Sequence, residues 1–474
     1  MAQNSSSSSC LRVLDTAVVK PSGPPLPPSS LPLTFLDLQW IHSPPVERIF
    51  FYRLTSTRDA TDHLISDLKR SLSTALRIFF PLAGHLRVTP GCTAAATRHD
   101  IFYQPGDGVA FTLAEYDGAD LGDLASDHQP RQVAELALLV PRLHPAVGND
   151  GAALLAVQAT VLQPRGDLAL GVTVHHAACD GAGSTSFLHT WAAACAGAVE
   201  SFPPPPIIDR TLVVEPVQGL YDHYTSSLPS TDEMEFVKMS PDQLLATFTL
   251  SGEQLQRIKD AVADEAARRG AQTPPRCSTL VAALGFVWSC YLRAKADSGD
   301  GAGEPESPTY FIVPVDHRPW MKPPVPSTYF GNCIGPAIGA APKRDLASAG
   351  AGGLFTACTA IAEGIGRALA SPEWETMVER IKQVGARGVL SVAGSPRLRV
   401  YGIDFGFGPP AKVEIVSVAR TGAMAVAEIR GRAGMEVGMS LPPAGMAAFR
   451  SCFDDTVEWL ASSPDSSHST SYSC

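Results

Sequence analysis

The segment Leu168-Ala-Leu-Gly-Val-Thr-Val-His-His-Ala-Ala-Cys-Asp-Gly181 holds the residues of this sequence best suited to chemistry. Residues 168–176 have the composition of a β-strand, on which side chains alternate between two faces. His176 then shares a face with Leu168, Leu170, Val172 and Val174, while His175 points the other way with Thr173. Two adjacent histidines on opposite faces do not bind one ion, so no metal site is expected from this pair. What remains is a single imidazole at a strand end, on an apolar face. The turn that follows, Cys179-Asp180-Gly181-Ala182-Gly183, is built of small residues that let the backbone bend and a ligand approach the ring. Asp180 can fix that turn by accepting backbone N–H bonds or by pairing with an arginine. A histidine held this way suits general-base work, because its reference pKa of about 6.5 lies near physiological pH.

The H-x-x-x-D spacing is weak by itself. With 12 histidines in the chain, and aspartate at about 5% of positions, about 0.6 accidental matches are expected. His63 and Asp67 form such a match, inside a helical stretch where i and i+4 side chains are simply neighbours.

The elements that must hold this turn alternate between helix and strand. Residues 62–79 place Leu64, Leu68, Leu72, Leu76 and Phe79 at helical spacing, and this helix is expected to end before Pro81. Residues 279–292 are apolar on most sides and predict a buried helix, and another helix carries Phe187, Leu188, Trp191 and Cys195. Residues 309–316, 398–403, 412–419 and 424–430 read as strands. The fold class is mixed α/β, without the regular βαβ rhythm of a doubly wound sheet. Four consecutive prolines, 203–206, mark a crossover linker over 203–240 between an N-terminal domain at 11–202 and a C-terminal domain at 241–461. Residues 1–10 and 462–474 are serine-rich and expected to be disordered; 294–308 and 341–353 read as surface loops.

Composition sets the outer limits. At 474 residues the chain exceeds what one core usually supports, so two domains, or one large pseudo-double domain, are expected. A net charge of −10 argues against a nucleic-acid partner, and any polyanionic ligand must find a local basic patch. The ten cysteines are scattered singly without a CxxC pair, the N-terminus has no apolar signal core, and no run is long enough to cross a bilayer. A cytosolic protein with free thiols, no membrane partner and a monomeric state is expected.

His176-Ala-Ala-Cys-Asp180-Gly181, taken with Asp404-Phe405-Gly406-Phe407-Gly408, resembles the HxxxD and DFGWG pair of the plant BAHD acyltransferase family, in the same order and about 230 residues apart. Leu31-Pro-Leu-Thr-Phe-Leu-Asp-Leu-Gln-Trp40, Phe80-Pro-Leu-Ala-Gly84, Val315-Asp-His-Arg-Pro319, Tyr329-Phe-Gly-Asn-Cys333 and Gly394-Ser-Pro-Arg397 agree. The first and fourth of these are similar to the branch that acylates anthocyanins and other phenolic glucosides, often with malonyl-CoA. The resemblance implies two chloramphenicol-acetyltransferase-like domains with a central solvent channel, open to acyl-CoA at one mouth and to a phenolic glycoside at the other. It implies that His176 is the base, that Asp180 turns away to support the loop, and that Asp404 braces the architecture, with Arg318 as its candidate partner. Thr34, Phe35, Asp37, Trp40, Tyr329, Asn332 and Cys333 become acceptor or channel candidates. Phe407 departs from the family tryptophan but keeps an aromatic ring.

Acyl transfer needs a base for the hydroxyl proton and donors for the oxyanion. Ser395 is an oxyanion candidate, and equally a residue of a structural turn. Arg276, Ser278 and Thr279, at a helix start, can bind a coenzyme A phosphate or serve as a plain N-cap. No permanently bound cofactor is expected, acyl-CoA being a co-substrate. Malonyl transfer needs a cation for the free carboxylate, and Gly181-Ala-Gly-Ser-Thr-Ser186 supplies none, so hydroxycinnamoyl donors stay open. No acyl-enzyme is expected, Cys179 lying beside Asp180 rather than a cation. A kinase reading of Asp404-Phe405-Gly406 fails for want of a glycine-rich phosphate loop and of a catalytic aspartate after His317-Arg318. An esterase reading fails for want of a G-x-S-x-G elbow. A condensation domain shares HHxxxDG but would lack the second motif. A non-catalytic protein retaining the fold is the remaining rival.

Overall fold

A 21-residue helix, Arg58–Ile78, carries the apolar stripe read from the sequence, with Leu68, Leu72 and Leu76 fully buried. The computed structural model in which it sits describes residues 10–462, apart from short segments at 55–57, 90, 92, 94–95, 128, 145–150, 229–238, 271–276, 298–304 and 386–388. The expectations for residues 1–9, 463–474 and Arg276, and for parts of the 294–308 loop and the 203–240 linker, fall outside the described residues.

The chain divides into two units, and the division is not linear. The first comprises residues 1–235, 318–333 and 397–417, and the second 236–317, 334–396 and 418–474. The Asp404 segment thus belongs to the first unit, not to a C-terminal domain. The reason lies in the sheet: strand Lys412–Ile415 pairs antiparallel with Val46–Tyr52.

The first unit is built on a six-stranded sheet in the order Leu11–Val19, Val109–Tyr116, Leu155–Leu162, Asp167–Val174, Val46–Tyr52 and Lys412–Ile415. Asp167–Val174 is an interior strand, hydrogen-bonded on both sides and buried along its whole length. Gly171 within it is a packing requirement, since a Cβ there would lie 2.1 Å from the Leu139 carbonyl oxygen. Helices Arg58–Ile78 and Gly181–Cys195 pack together, and the Trp191 indole N–H donates to the Leu68 carbonyl at 3.1 Å. A smaller sheet of four strands runs Ser29–Pro32, Arg98–Tyr103, His85–Thr89, Ala152–Ala153.

In the second unit the strand order is Ile334–Pro342, Pro308–Asp316, Val389–Gly394, Ala423–Glu428, Gly434–Leu441, Leu244–Ser251. Helices Gly252–Arg268, Thr279–Asp297, Ala351–Ala370 and Pro443–Ser462 contribute to a core around Phe248, Phe286, Trp288, Phe449 and Phe453. Thr279–Asp297 is the buried helix read from the sequence. No helix among the described residues is long and apolar enough to cross a membrane.

Three local expectations are corrected. The strand at 412–419 stops at Ile415, because Val418–Thr421 winds into a helical turn closed by Gly422 at φ 65°. Residues 398–403 are not a strand: Arg399 sits at φ 50°, and Val400–Gly402 forms a 3₁₀ turn. The 341–353 loop contains helix Lys343–Leu346, anchored by the fully buried Leu346.

Candidate functional site

Strand Asp167–Val174 delivers the two histidines to a tight turn rather than carrying them. The His175 N–H donates to the Leu154 carbonyl at 2.9 Å, and its ring Nδ1 accepts from the Ala177 N–H at 3.2 Å. That ring is committed to closing the turn. His176 is different: it is partly exposed, and its imidazole lies flat against the Trp40 indole, with ring centroids 3.8 Å apart and planes 9° from parallel. Its Nδ1 is buried. Desolvation lowers the His176 pKa to about 4, against the opposing influence of its own backbone carbonyl, the Asn332 side chain and the Asp37 carboxylate. The imidazole is therefore neutral at physiological pH, the form that can accept a proton.

Behind the ring, segments far apart in sequence are tied by hydrogen bonds. The Asn332 side-chain amide donates to the His176 carbonyl and to Asp37 Oδ1, each at 2.9 Å, and the Asn332 backbone N–H donates to the same oxygen at 3.0 Å. Asp37, with no solvent exposure, also accepts from the Thr34 N–H at 2.8 Å and the Thr34 hydroxyl at 2.7 Å. Arg210 donates to both Asp37 carboxylate oxygens at 2.8 Å and to the Ala178 carbonyl at 2.8 Å. A buried carboxylate is tolerated when paired and saturated with donors, and this one is. Phe35 is packed edge-on against Tyr224, and Tyr329 lies beneath the Arg210 and Arg318 guanidinium groups. Of the acceptor candidates, then, Thr34, Phe35, Asp37, Tyr329, Asn332 and Cys333 have buried side chains within the interior framework, and Trp40 is the one that stacks on the His176 ring.

Asp180 has two structural tasks. As N-cap of helix Gly181–Cys195 it accepts from the Gly183 N–H at 3.1 Å. Its other oxygen takes Arg318 at 2.8 Å and the Cys333 N–H at 3.1 Å, with both ionic side chains sealed from solvent. Arg318 also donates to the carbonyls of Tyr329 and Gly331. The Arg318–Asp404 pairing is therefore corrected: Arg318 holds the turn that follows His176. Asp404 is exposed and accepts the N–H groups of Gly406 and Gly408 at 2.8 and 2.9 Å, two glycines at φ 99° that a side chain would strain. Its neighbours anchor the loop, Phe405 edge-on to Trp191 and Phe407 edge-on to Tyr52, whose hydroxyl donates to the Ile403 carbonyl. Phe407 thus fills an aromatic seat between Tyr52 and Phe405.

Arg48, missed in the sequence, occupies strand Val46–Tyr52 and donates to the Thr185 hydroxyl at 3.2 Å. A charged pair, Glu47-Arg48, in an otherwise apolar strand was the available signal. Cys179 is buried, and burial pushes its thiol pKa up, away from nucleophilic use. In the second unit, Ser278 accepts from the Val281 N–H as an N-cap, and Lys259 donates to the Thr279 hydroxyl at 2.8 Å, placing a cation at the start of Thr279–Asp297. Ser395 follows strand Val389–Gly394. Among the described residues no group of three or more His, Cys, Asp or Glu side chains gathers as a metal site.

A family model described as the Transferase family matches residues 11–456. Phenolic glucoside malonyltransferase 1 of Arabidopsis thaliana is 34% identical, covering 92% of this chain and 96% of its own length. The malonyl-coenzyme A:anthocyanin 3-O-glucoside-6''-O-malonyltransferase of Dahlia pinnata is 31% identical, covering 94% and 98%. A coumaroyl-CoA:anthocyanidin 3-O-glucoside-6''-O-coumaroyltransferase of Arabidopsis thaliana is 30% identical, covering 95% and 98%. In fold, vinorine synthase matches with a TM-score of 0.67 at 20% identity, over 92% of this chain and 96% of its own. F. graminearum TRI101 complexed with coenzyme A and deoxynivalenol matches at 0.62 and 16%, over 89% and 97%.

Proposed function

This chain belongs to the Transferase family of BAHD acyltransferases, acyl-CoA-dependent enzymes of two-unit α/β fold, and from that premise we propose that it moves a malonyl group from malonyl-CoA to a sugar hydroxyl of a phenolic glucoside. The observation that carries the mechanism is the His176 ring, neutral and partly exposed while Asp180 is fully engaged by Arg318. With Nδ1 buried, Nε2 is the nitrogen left to act. It takes the proton of the sugar hydroxyl as the oxygen attacks the thioester carbon. The carbonyl electron pair moves onto oxygen, giving a tetrahedral oxyanion that hydrogen-bond donors must meet. The oxyanion collapses, the carbon–sulfur bond breaks, and the imidazolium returns its proton to the coenzyme A sulfur. No acyl-enzyme forms. Ser278 and Thr279, with Lys259 beside them, are the candidate contacts for the coenzyme A phosphates.

The names of the relatives support a glycoside acceptor and divide on the donor, malonyl in two of the three cited and coumaroyl in the third. The purified protein, offered malonyl-CoA, acetyl-CoA and coumaroyl-CoA with a panel of phenolic glucosides, should return the malonyl ester as the dominant product by mass spectrometry. A hydroxycinnamoyl ester as dominant product would replace the donor assignment. No ester with any donor would reject transfer itself.

A further inference from the structure

Four arginines of the described chain have buried side chains: Arg48, Arg131, Arg210 and Arg318. Three of them rest on a carboxylate, Arg131 on Glu414 at 2.6 Å, Arg210 on Asp37 at 2.8 Å and Arg318 on Asp180 at 2.8 Å. Arg48 breaks the pattern. At 6% exposure its hydrogen-bond partner is the neutral Thr185 hydroxyl, and among the described residues no carboxylate lies within ion-pair distance. A guanidinium withdrawn from water without a counter-charge is costly to the fold, and its planar fork of donors matches a carboxylate in geometry.

The position of Arg48 says where that anion would come from. Arg48 is the register partner of Val172, so the two side chains share one face of the sheet. On that face the chain runs on through Val174 to the turn bearing His176, and Thr185 lies in the first turns of the helix that Asp180 caps. The Arg48 charge is felt at both Cys179 and His176, where it opposes protonation of the imidazole. A fixed, unpaired cation thus stands in the neighbourhood of the base.

We propose that Arg48 is the receptor for the free carboxylate of the malonyl donor, the cation absent from Gly181–Ser186. The inference rests on the malonyl reading above and deepens it. Acetyl and coumaroyl groups carry no carboxylate, whereas every coenzyme A ester carries the same phosphates. Donor comparison therefore separates an acyl-carboxylate site from a phosphate site.

The test is steady-state kinetics of the wild type, Arg48→Met and Arg48→Lys with malonyl-CoA and with acetyl-CoA, at one saturating phenolic glucoside, alongside thermal melts. Arg48→Met should lower kcat/KM for malonyl-CoA about 10²–10³-fold, because a polar site discriminates strongly against losing its ion pair, and change it about threefold or less for acetyl-CoA. Arg48→Lys should fall between, and the melting temperature of Arg48→Met should be equal to or above that of the wild type, since an unpaired buried charge is removed. An equal loss with both donors, or a lower melting temperature with unchanged donor preference, overturns the role of Arg48 while leaving malonyl transfer standing. A wild type that uses coumaroyl-CoA and not malonyl-CoA overturns the donor reading itself, and this inference with it.

Discussion

Replacing His176 with alanine should lower turnover about 10²–10⁴-fold, a loss of roughly 3–5.5 kcal/mol in transition-state stabilisation, while the protein remains folded. The size follows from what one positioned base contributes. The survival of the fold follows from where the ring sits: it is partly exposed and stacked on Trp40, while the hydrogen bonds that close the turn come from the His176 backbone carbonyl, His175 and Asn332. None of these bonds uses the His176 side chain, so they persist in the variant. Initial rates with saturating acyl-CoA and glucoside, beside a thermal melt, check both halves. Turnover within a fewfold of the wild type would remove His176 from the mechanism.

The largest effect on stability is expected at Asp180. Its asparagine variant keeps an N-cap for helix Gly181–Cys195 but removes the carboxylate that pairs with Arg318, 2% exposed. Breaking a buried ion pair from one side costs about 3–5 kcal/mol, far more than the pair is worth against an apolar replacement. In a protein of this size that corresponds to a fall of roughly 10 °C in melting temperature. Activity should fall with stability, because the same carboxylate holds Cys333 beside Asn332, which anchors the His176 carbonyl. Unchanged melting with lost turnover would assign Asp180 a direct part in the chemistry.

Local order was legible where one period dominates. The leucine stripe of Arg58–Ile78 and the apolar run of Thr279–Asp297 announce themselves, and the small-residue turn after His176 is visible as composition. Strand parity placed His176 and His175 on opposite faces, although the strand ends at Val174 and it is a turn that separates their roles. Pairings across the chain were not legible. Arg210 and Asp37 lie 173 positions apart, and Arg318 could as readily have met Asp404 as Asp180 by any rule of spacing. Arg399 at φ 50° breaks a segment whose composition reads as strand, an effect of tertiary context on a residue that rarely adopts that conformation. Arg48 illustrates the same limit: its meaning is the missing carboxylate, and a missing neighbour exists only in three dimensions.

Under the proposed mechanism a desolvated, neutral imidazole performs the proton transfer. Burial lowers the His176 pKa from 6.5 to about 4, so the free enzyme keeps its base unprotonated down to that pH. The sign for stability runs the same way: the unfolded chain takes up protons near pH 6.5 and the native chain does not, so stability is complete above pH 6.5 and is lost progressively toward pH 4. Rates are therefore best read immediately after a jump from neutral pH. The dependence of kcat/KM for acyl-CoA on pH should stay flat from neutral pH into the acid range and reach half its value near pH 4. A half-value near the ordinary histidine pKa of 6.5, or an acid limb that persists in His176→Ala, would contradict the account.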